Sequence, residues 1–172
     1  MRPFALALAI LGGALVFGSA GHAQQPAPAP APAPPPAYGE PVTLDVAKKA
    51  AEAAMAEAKK NNWFMAIAVV SPSGDLVFFQ KMDNTQYGSI KIAQHKARAA
   101  AIFRRPTKGF EDRVASGGVG VALVTLDDVI ASEGGIPLIV GGKLIGAIGC
   151  SGGTGQQDGQ SCQAGADALK GS

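Results

Sequence analysis

Residues 24 to 38 run Q-Q-P-A-P-A-P-A-P-A-P-P-P-A-Y, and alternating proline excludes helix and sheet over the whole stretch. Each proline lacks the N–H that both structures need, so the tract reads as an extended polyproline-type tether. At about 3.1 Å per residue it reaches roughly 45 Å. It divides the chain. Residues 24–41 are expected to be a Pro/Ala-rich disordered linker, and folding is expected only over residues 42–172. Upstream, Arg2, the apolar run A-L-A-L-A-I-L-G-G-A-L-V-F and the small residues of G-H-A have the layout of a secretory signal peptide over residues 1–23. The apolar run is too short to span a membrane. The expectation is a periplasmic or secreted protein with no membrane span. His22 leaves with the leader, and His95 is then the one histidine remaining.

The 172-residue chain carries 15 Lys and Arg against 13 Asp and Glu, a formal net charge of +2, and loss of Arg2 lowers it by one. Nucleic acid as the main partner is excluded on this balance, because phosphate binding needs concentrated positive charge. Lys48, Lys49, Lys59 and Lys60 are interleaved with Glu52 and Glu57 and read as a solvated helix face.

Beyond the tether, residues 42–62 read as a helix. Thr43 can cap its start, Asp45 suits the positive end of the dipole, and Ala47, Ala50, Ala51, Ala54, Met55 and Ala58 form one apolar stripe. Trp63 to Val70 and Leu76 to Met82 flank S-P-S-G-D as a β-hairpin. Ile136 to Val140 and Lys143 to Cys150 flank Gly141-Gly142 as a second one. Ser89 to Phe103 reads as a helix ended by R-R-P, and Gln156 to Leu169 as a closing helix. Hairpins between helices predict an α+β layered domain.

On a wheel of 100° per residue from Ile92, Lys96 falls at about 40°, inside the apolar arc, and His95 at about 300°, in the polar arc near its edge. His95 is therefore expected on the surface. A lone buried ammonium is costly, so Lys96 should snorkel outward, line a pocket or pair with a carboxylate. Glu133 in S-E-G-G-I-P is the first candidate partner, with Asp83 and Asp158 as alternatives. A desolvated Lys96–Glu133 pair would be a candidate for catalytic acid–base work. The glycine-rich C-S-G-G-T-G-Q-Q-D-G lacks a phosphate-binding lysine and has no room after it for a second parallel strand, so it reads as a strand-to-helix turn. Cys150 and Cys162 lie twelve apart with too few neighbours for a zinc site. In an exported protein they are expected to form a disulfide.

Taken together, I-A-V-V-S-P-S-G-D-L-V, M-D-N-T-Q-Y-G-S-I, K-A-R-A-A-A-I-F-R-R-P-T, E-G-G-I-P-L and G-K-L-I-G-A-I-G-C-S-G-G-T with Q-D-G resemble the GlcG/HbpS family of haem-binding and haem-degrading proteins, from about Thr43 to Leu169. The resemblance implies a profilin-like three-layer α/β/α sandwich with a five-stranded antiparallel sheet. The fifth strand is then expected in V-G-V-A-L-V-T, Val119 to Thr125. It also implies a homo-oligomer, haem as the ligand, and a role in haem binding for Thr107 of R-R-P-T. Relatives that use an earlier histidine are not followed, since none lies between Ala23 and His95.

Haem iron takes His, Met, Cys or Tyr as axial donors. His95, Tyr87, Met82 and Met65 are the available side chains, and Arg98, Arg104 and Arg105 could meet the propionates. An edge-of-arc His95 is surface in one chain and a ligand at a subunit contact in an assembly. The leading expectation is an exported haem (tetrapyrrole)-binding protein. The alternatives are an enzyme acting on haem or a small hydroxy or oxo acid through Lys96 and Glu133, and an oligomeric sensor-accessory module held by the tether.

Overall fold

The alanine stripe beyond the tether folds as helix α1, Leu44–Lys60, in a computed structural model that describes residues 33–170. The Thr43 hydroxyl accepts from the Val46 amide, as a cap should. The expected leader and the tether up to residue 32 lie outside the described residues. The next elements follow the hairpin and helix pattern closely. They are β2 (Ala66–Val70), β3 (Leu76–Lys81), α2 (Gly88–Ile102), β4 (Gly135–Val140), β5 (Lys143–Ser151) and α4 (Gly155–Asp167). A further short helix, α3 (Lys108–Ala115), stands between α2 and β4.

Two expectations need correction. Val119 to Thr125 is not a strand: Gly118–Thr125 is a 3₁₀ run, entered through Gly117 and Gly118 at φ of 72° and 58°. Those left-handed residues turn the chain out of an extended path, and glycine is the residue that permits it. The fifth strand is β1, Ala37–Tyr38, which pairs in parallel with Lys143 and Leu144 of β5. The five-stranded sheet is therefore mixed, with β2, β3, β4 and β5 joined by antiparallel pairing and β1 by parallel pairing. Pairing with β4 takes up one side of β5, so β1 and β2 lie end to end along the other.

The described end of the expected linker span is therefore tied to the domain. The Tyr38 hydroxyl donates to the Ile102 carbonyl at 3.0 Å, and the Arg104 guanidinium lies 5.0 Å from the Tyr38 ring centre. The Arg104 Nη1 also donates to the Pro36 carbonyl at 3.3 Å. Arg104 holds a φ of 53°, a conformation uncommon for a long side chain, at the turn that ends α2.

Three layers result. On one face of the sheet, α1 and α4 cover Ile67, Val69, Leu138 and Ile148. On the other, α2 lays Ala93, Ala97, Ala100 and Ala101 against Ala66, Ala68, Val70 and Ala147. The two cores differ in kind: one is filled by branched side chains, the other by alanine. All five residues of β2 are buried because both of its faces are covered. A disulfide joins Cys150 of β5 to Cys162 of α4, as expected, and ties the closing helix to the central strand.

The alanine face lets α2 sit almost directly on the backbone of β5. A Cβ on Gly149 would lie 2.1 Å from the Ala93 carbonyl oxygen and 2.4 Å from the Ala97 nitrogen, and backbone atoms cannot step aside. Gly149→Ala is expected to lower stability by about 3 kcal/mol, the upper end for overpacking, measured by urea denaturation. A loss below about 0.5 kcal/mol would mean that α2 is not seated in this way.

Candidate functional site

The most deeply buried charged group among the described residues comes from α2. Lys96 is 1 % exposed, and its Nζ donates to Asp158 Oδ2 at 2.7 Å and to the Glu133 carbonyl at 2.5 Å. Asp158 lies in the first turns of α4, and its other oxygen accepts from the Gly153 amide at 3.0 Å. Burial pushes the Asp158 carboxyl above its ordinary range, an effect partly offset by Lys96 and the Gly152 and Gly153 amides. The capping box of Thr154 and Gln157 fixes the start of α4 and so aims Asp158 inward.

The carboxylate partner of Lys96 is thus Asp158, not Glu133. At Gly134, with φ of 126°, the chain turns the Glu133 carbonyl toward Lys96, while the Glu133 carboxylate lies against Gly159 of α4. A Cβ on Gly134 would approach Asp158 Cβ to 2.8 Å, so the E-G-G sequence is the space this knot requires. Asp83 is exposed in the turn after β3 and takes no part.

Thr107 belongs to the same junction. It is fully buried. Its hydroxyl donates to the Ser132 carbonyl at 2.7 Å and accepts from the Gly135 amide at 2.9 Å, tying α3 to the start of β4. With both of its hydrogen-bonding roles taken, Thr107 shapes the knot. Glu111, which sequence reasoning did not single out, accepts from the Glu133 amide at 2.7 Å and completes the tie.

On its outer flank α2 carries a different set. Tyr87, Lys91, Gln94, His95 and Arg98 share one face at helical spacing. Beside it lies an open depression of about 280 Å³, whose lining includes Asp75, Leu76, Gln94, His95 and Arg98. His95 is half-buried there, not fully on the surface, and its imidazole makes no hydrogen bond or ion pair among the described residues.

Arg98 is committed. Its Nε donates to Asp128 Oδ1 at 2.6 Å and its Nη2 to Asp128 Oδ2 at 3.3 Å. Asp128 takes a φ of 63° to meet it, and the guanidinium holds the carboxyl below its ordinary range. This partner lies 30 residues from Arg98, beyond an apolar run, with no local signal linking the two.

The remaining expected residues are scattered. Tyr87 is 86 % exposed at the start of α2. Arg104 is held by Tyr38 and Pro36, and Arg105 bonds the Phe103 carbonyl and lies 5.9 Å from the Phe110 ring centre. Met65 is buried, and the Met82 sulfur accepts the Met65 amide at 3.4 Å beside a separate groove between α1 and β3. The structure brings His95 and Arg98 together at one depression. It places Arg104, Arg105 and Thr107 beyond the other end of α2.

Residues 42–167 match the family model described as haem degrading protein HbpS-like. The protein GlcG of Escherichia coli K12 is 44 % identical over 95 residues, covering 55 % of this chain and 69 % of that protein. A double mutant of Streptomyces reticuli HbpS superposes with a TM-score of 0.70 at 30 % identity, covering 84 % of this chain and 99 % of the other. The Klebsiella pneumoniae protein ORFY superposes with a TM-score of 0.73 at 29 % identity, covering 78 % and 94 %.

Two outcomes follow from the geometry. Lys96→Met leaves a buried carboxylate without its partner and is expected to destabilise the domain by about 3–5 kcal/mol, whereas Lys96→Met with Asp158→Leu recovers most of that loss. Denaturation of the wild type, both single variants and the double variant measures the coupling. For Asp128, the folded-state pKa lies below the unfolded one. The stabilisation from Arg98 is therefore present above the ordinary carboxylate range and is lost as pH falls through the folded value. An NMR titration of the Asp128 carboxyl carbon should give a midpoint below the ordinary carboxylate range, and Arg98→Ala should raise it.

Proposed function

We propose, from the premise that this chain belongs to the HbpS-like family of haem degrading proteins, that it is an exported haem-binding protein in which His95 supplies the iron ligand. Support begins with the family description and with a relative named HbpS at 30 % identity over most of this chain. The observation that carries the reading to particular residues is the imidazole itself. Among the described residues His95 is the one histidine, it lines a depression, and its ring nitrogens are unengaged by the described residues.

The surroundings fit an iron porphyrin. Leu76, half-exposed, offers apolar surface beside His95. Lys91, one helical turn before His95, is exposed and makes no ion pair among the described residues, so it is free to meet a propionate. Arg98 is held by Asp128 and contributes a fixed rim. At about 280 Å³ the depression falls just below the usual size of ligand sites, roughly 300–1,000 Å³. It accepts one edge of the macrocycle, and the remainder extends along the outer flank of α2.

The disulfide between Cys150 and Cys162 supports export, because such bonds persist in oxidising compartments. Lys96 is sealed against Asp158 and lends no support to turnover at an open site, so the reading rests on binding.

Titration of haem into the apo-protein tests this. A saturable Soret shift at micromolar haem is expected for the wild type. His95→Ala should weaken binding by at least about tenfold and move the band, while Tyr87→Phe should do neither. Absence of binding by the wild type would overturn the reading. Unchanged spectra in His95→Ala would remove His95 from it.

A further inference from the structure

The segment from Gly118 to Asp128 leaves more apolar side chain in solvent than any comparable stretch among the described residues. Val119 is 88 % exposed, Val124 58 %, Leu126 50 % and Val121 49 %. No charged residue occurs between Arg113 and Asp127. None of these side chains belongs to either hydrophobic core. The run packs against α3, where a Cβ on Gly120 would lie 2.0 Å from the Arg113 carbonyl oxygen. An eight-residue 3₁₀ run is itself unusual, since poor hydrogen-bond geometry limits most to three or four residues.

Both ends of the segment are hinge-like. Gly117 and Gly118 are left-handed at one end, and open space surrounds the position of a Cβ on either. Asp128 is left-handed at the other and is pinned to Arg98 at 2.6 Å. Arg98 lines the depression beside His95, so the apolar run ends at the rim of that depression, with Leu126 two residues from the pin. The depression alone is too small for a macrocycle. The apolar surface missing from it stands on the adjoining segment.

We infer that residues 118–128 form the second wall of the His95 site, an apolar flap that closes over a haem bound there and is held to α2 by the Arg98–Asp128 pair. This inference rests on the haem reading and adds to it the element that covers the ligand. The occupant is a flat apolar metal macrocycle, because the flap offers aliphatic side chains without charge while the depression offers an unengaged imidazole.

The test is haem titration of the full-length protein with two flap variants, read by Soret absorbance and by size-exclusion chromatography. Val124→Ser with Leu126→Ser removes apolar surface from two half-exposed side chains and should weaken haem binding about tenfold without moving the Soret band. Asp128→Asn keeps a residue that tolerates the left-handed conformation but removes the pin, and it should weaken binding in the same sense. Unchanged affinity in both variants, with wild-type binding through His95 intact, would overturn the flap and leave the haem reading standing. A change in particle size with unchanged haem affinity would also overturn it and assign the surface to contact between copies. Failure of the wild type to bind haem would end both readings, and so separates one failure from the other.

Discussion

Helix α2 meets the sheet across a seam of alanine and glycine, and the rest of the molecule is arranged around that close approach. At Gly149 the backbone of the strand touches the backbone of the helix with no side chain between them. Such contact leaves α2 little freedom to rotate or slide, because any shift drives a carbonyl or amide into its neighbour. Its two functional directions are set by the same constraint. Lys96 is turned inward at the end of the seam, and His95, the residue before it, is turned outward along the flank.

The inward direction ends in a knot that joins α2, α3, α4, β4 and β5. A buried ion pair contributes little net stability compared with a well-packed apolar core, since desolvation offsets most of the attraction. What the Lys96–Asp158 pair supplies is position. Its donors and acceptors can be satisfied in one arrangement, with the Glu133 carbonyl and the Gly153 amide in place. Thr107 and Glu111 add two more fixed bonds at the same junction, both to the backbone that enters β4. Lys96 and Thr107, which stood out in the sequence as site candidates, direct their polar groups to Asp158 and to backbone at this junction.

The outward direction is where polar chemistry remains available. Arg98 and Arg104 are drawn to Asp128 and Tyr38, and each holds down a segment that would otherwise hang free. His95 is left with an unengaged imidazole beside an apolar edge. Arg98 and Arg104 thus serve as ties while the imidazole of His95 stays unengaged by the described residues.

Much of the fold was legible in the chain. The two hairpins, three of the four helices and the disulfide pairing follow from local rules: turn chemistry, three- and four-residue periodicity, and two cysteines in an exported context. The inward aim of Lys96 also follows from the helical repeat alone. The strand expected from Val119 to Thr125 did not form, although its composition favours one, because left-handed glycines divert the chain there and β1 takes the place along β5. Partner choice was equally out of reach. Lys96 chose Asp158 across 62 residues and Arg98 chose Asp128 across 30, and neither separation carries a periodic signal. The sequence by itself determined which faces are apolar, since side-chain direction repeats within a few residues of backbone. Only the tertiary structure decided which polar groups are enclosed and which stay open, since that depends on how distant segments meet once those faces are buried.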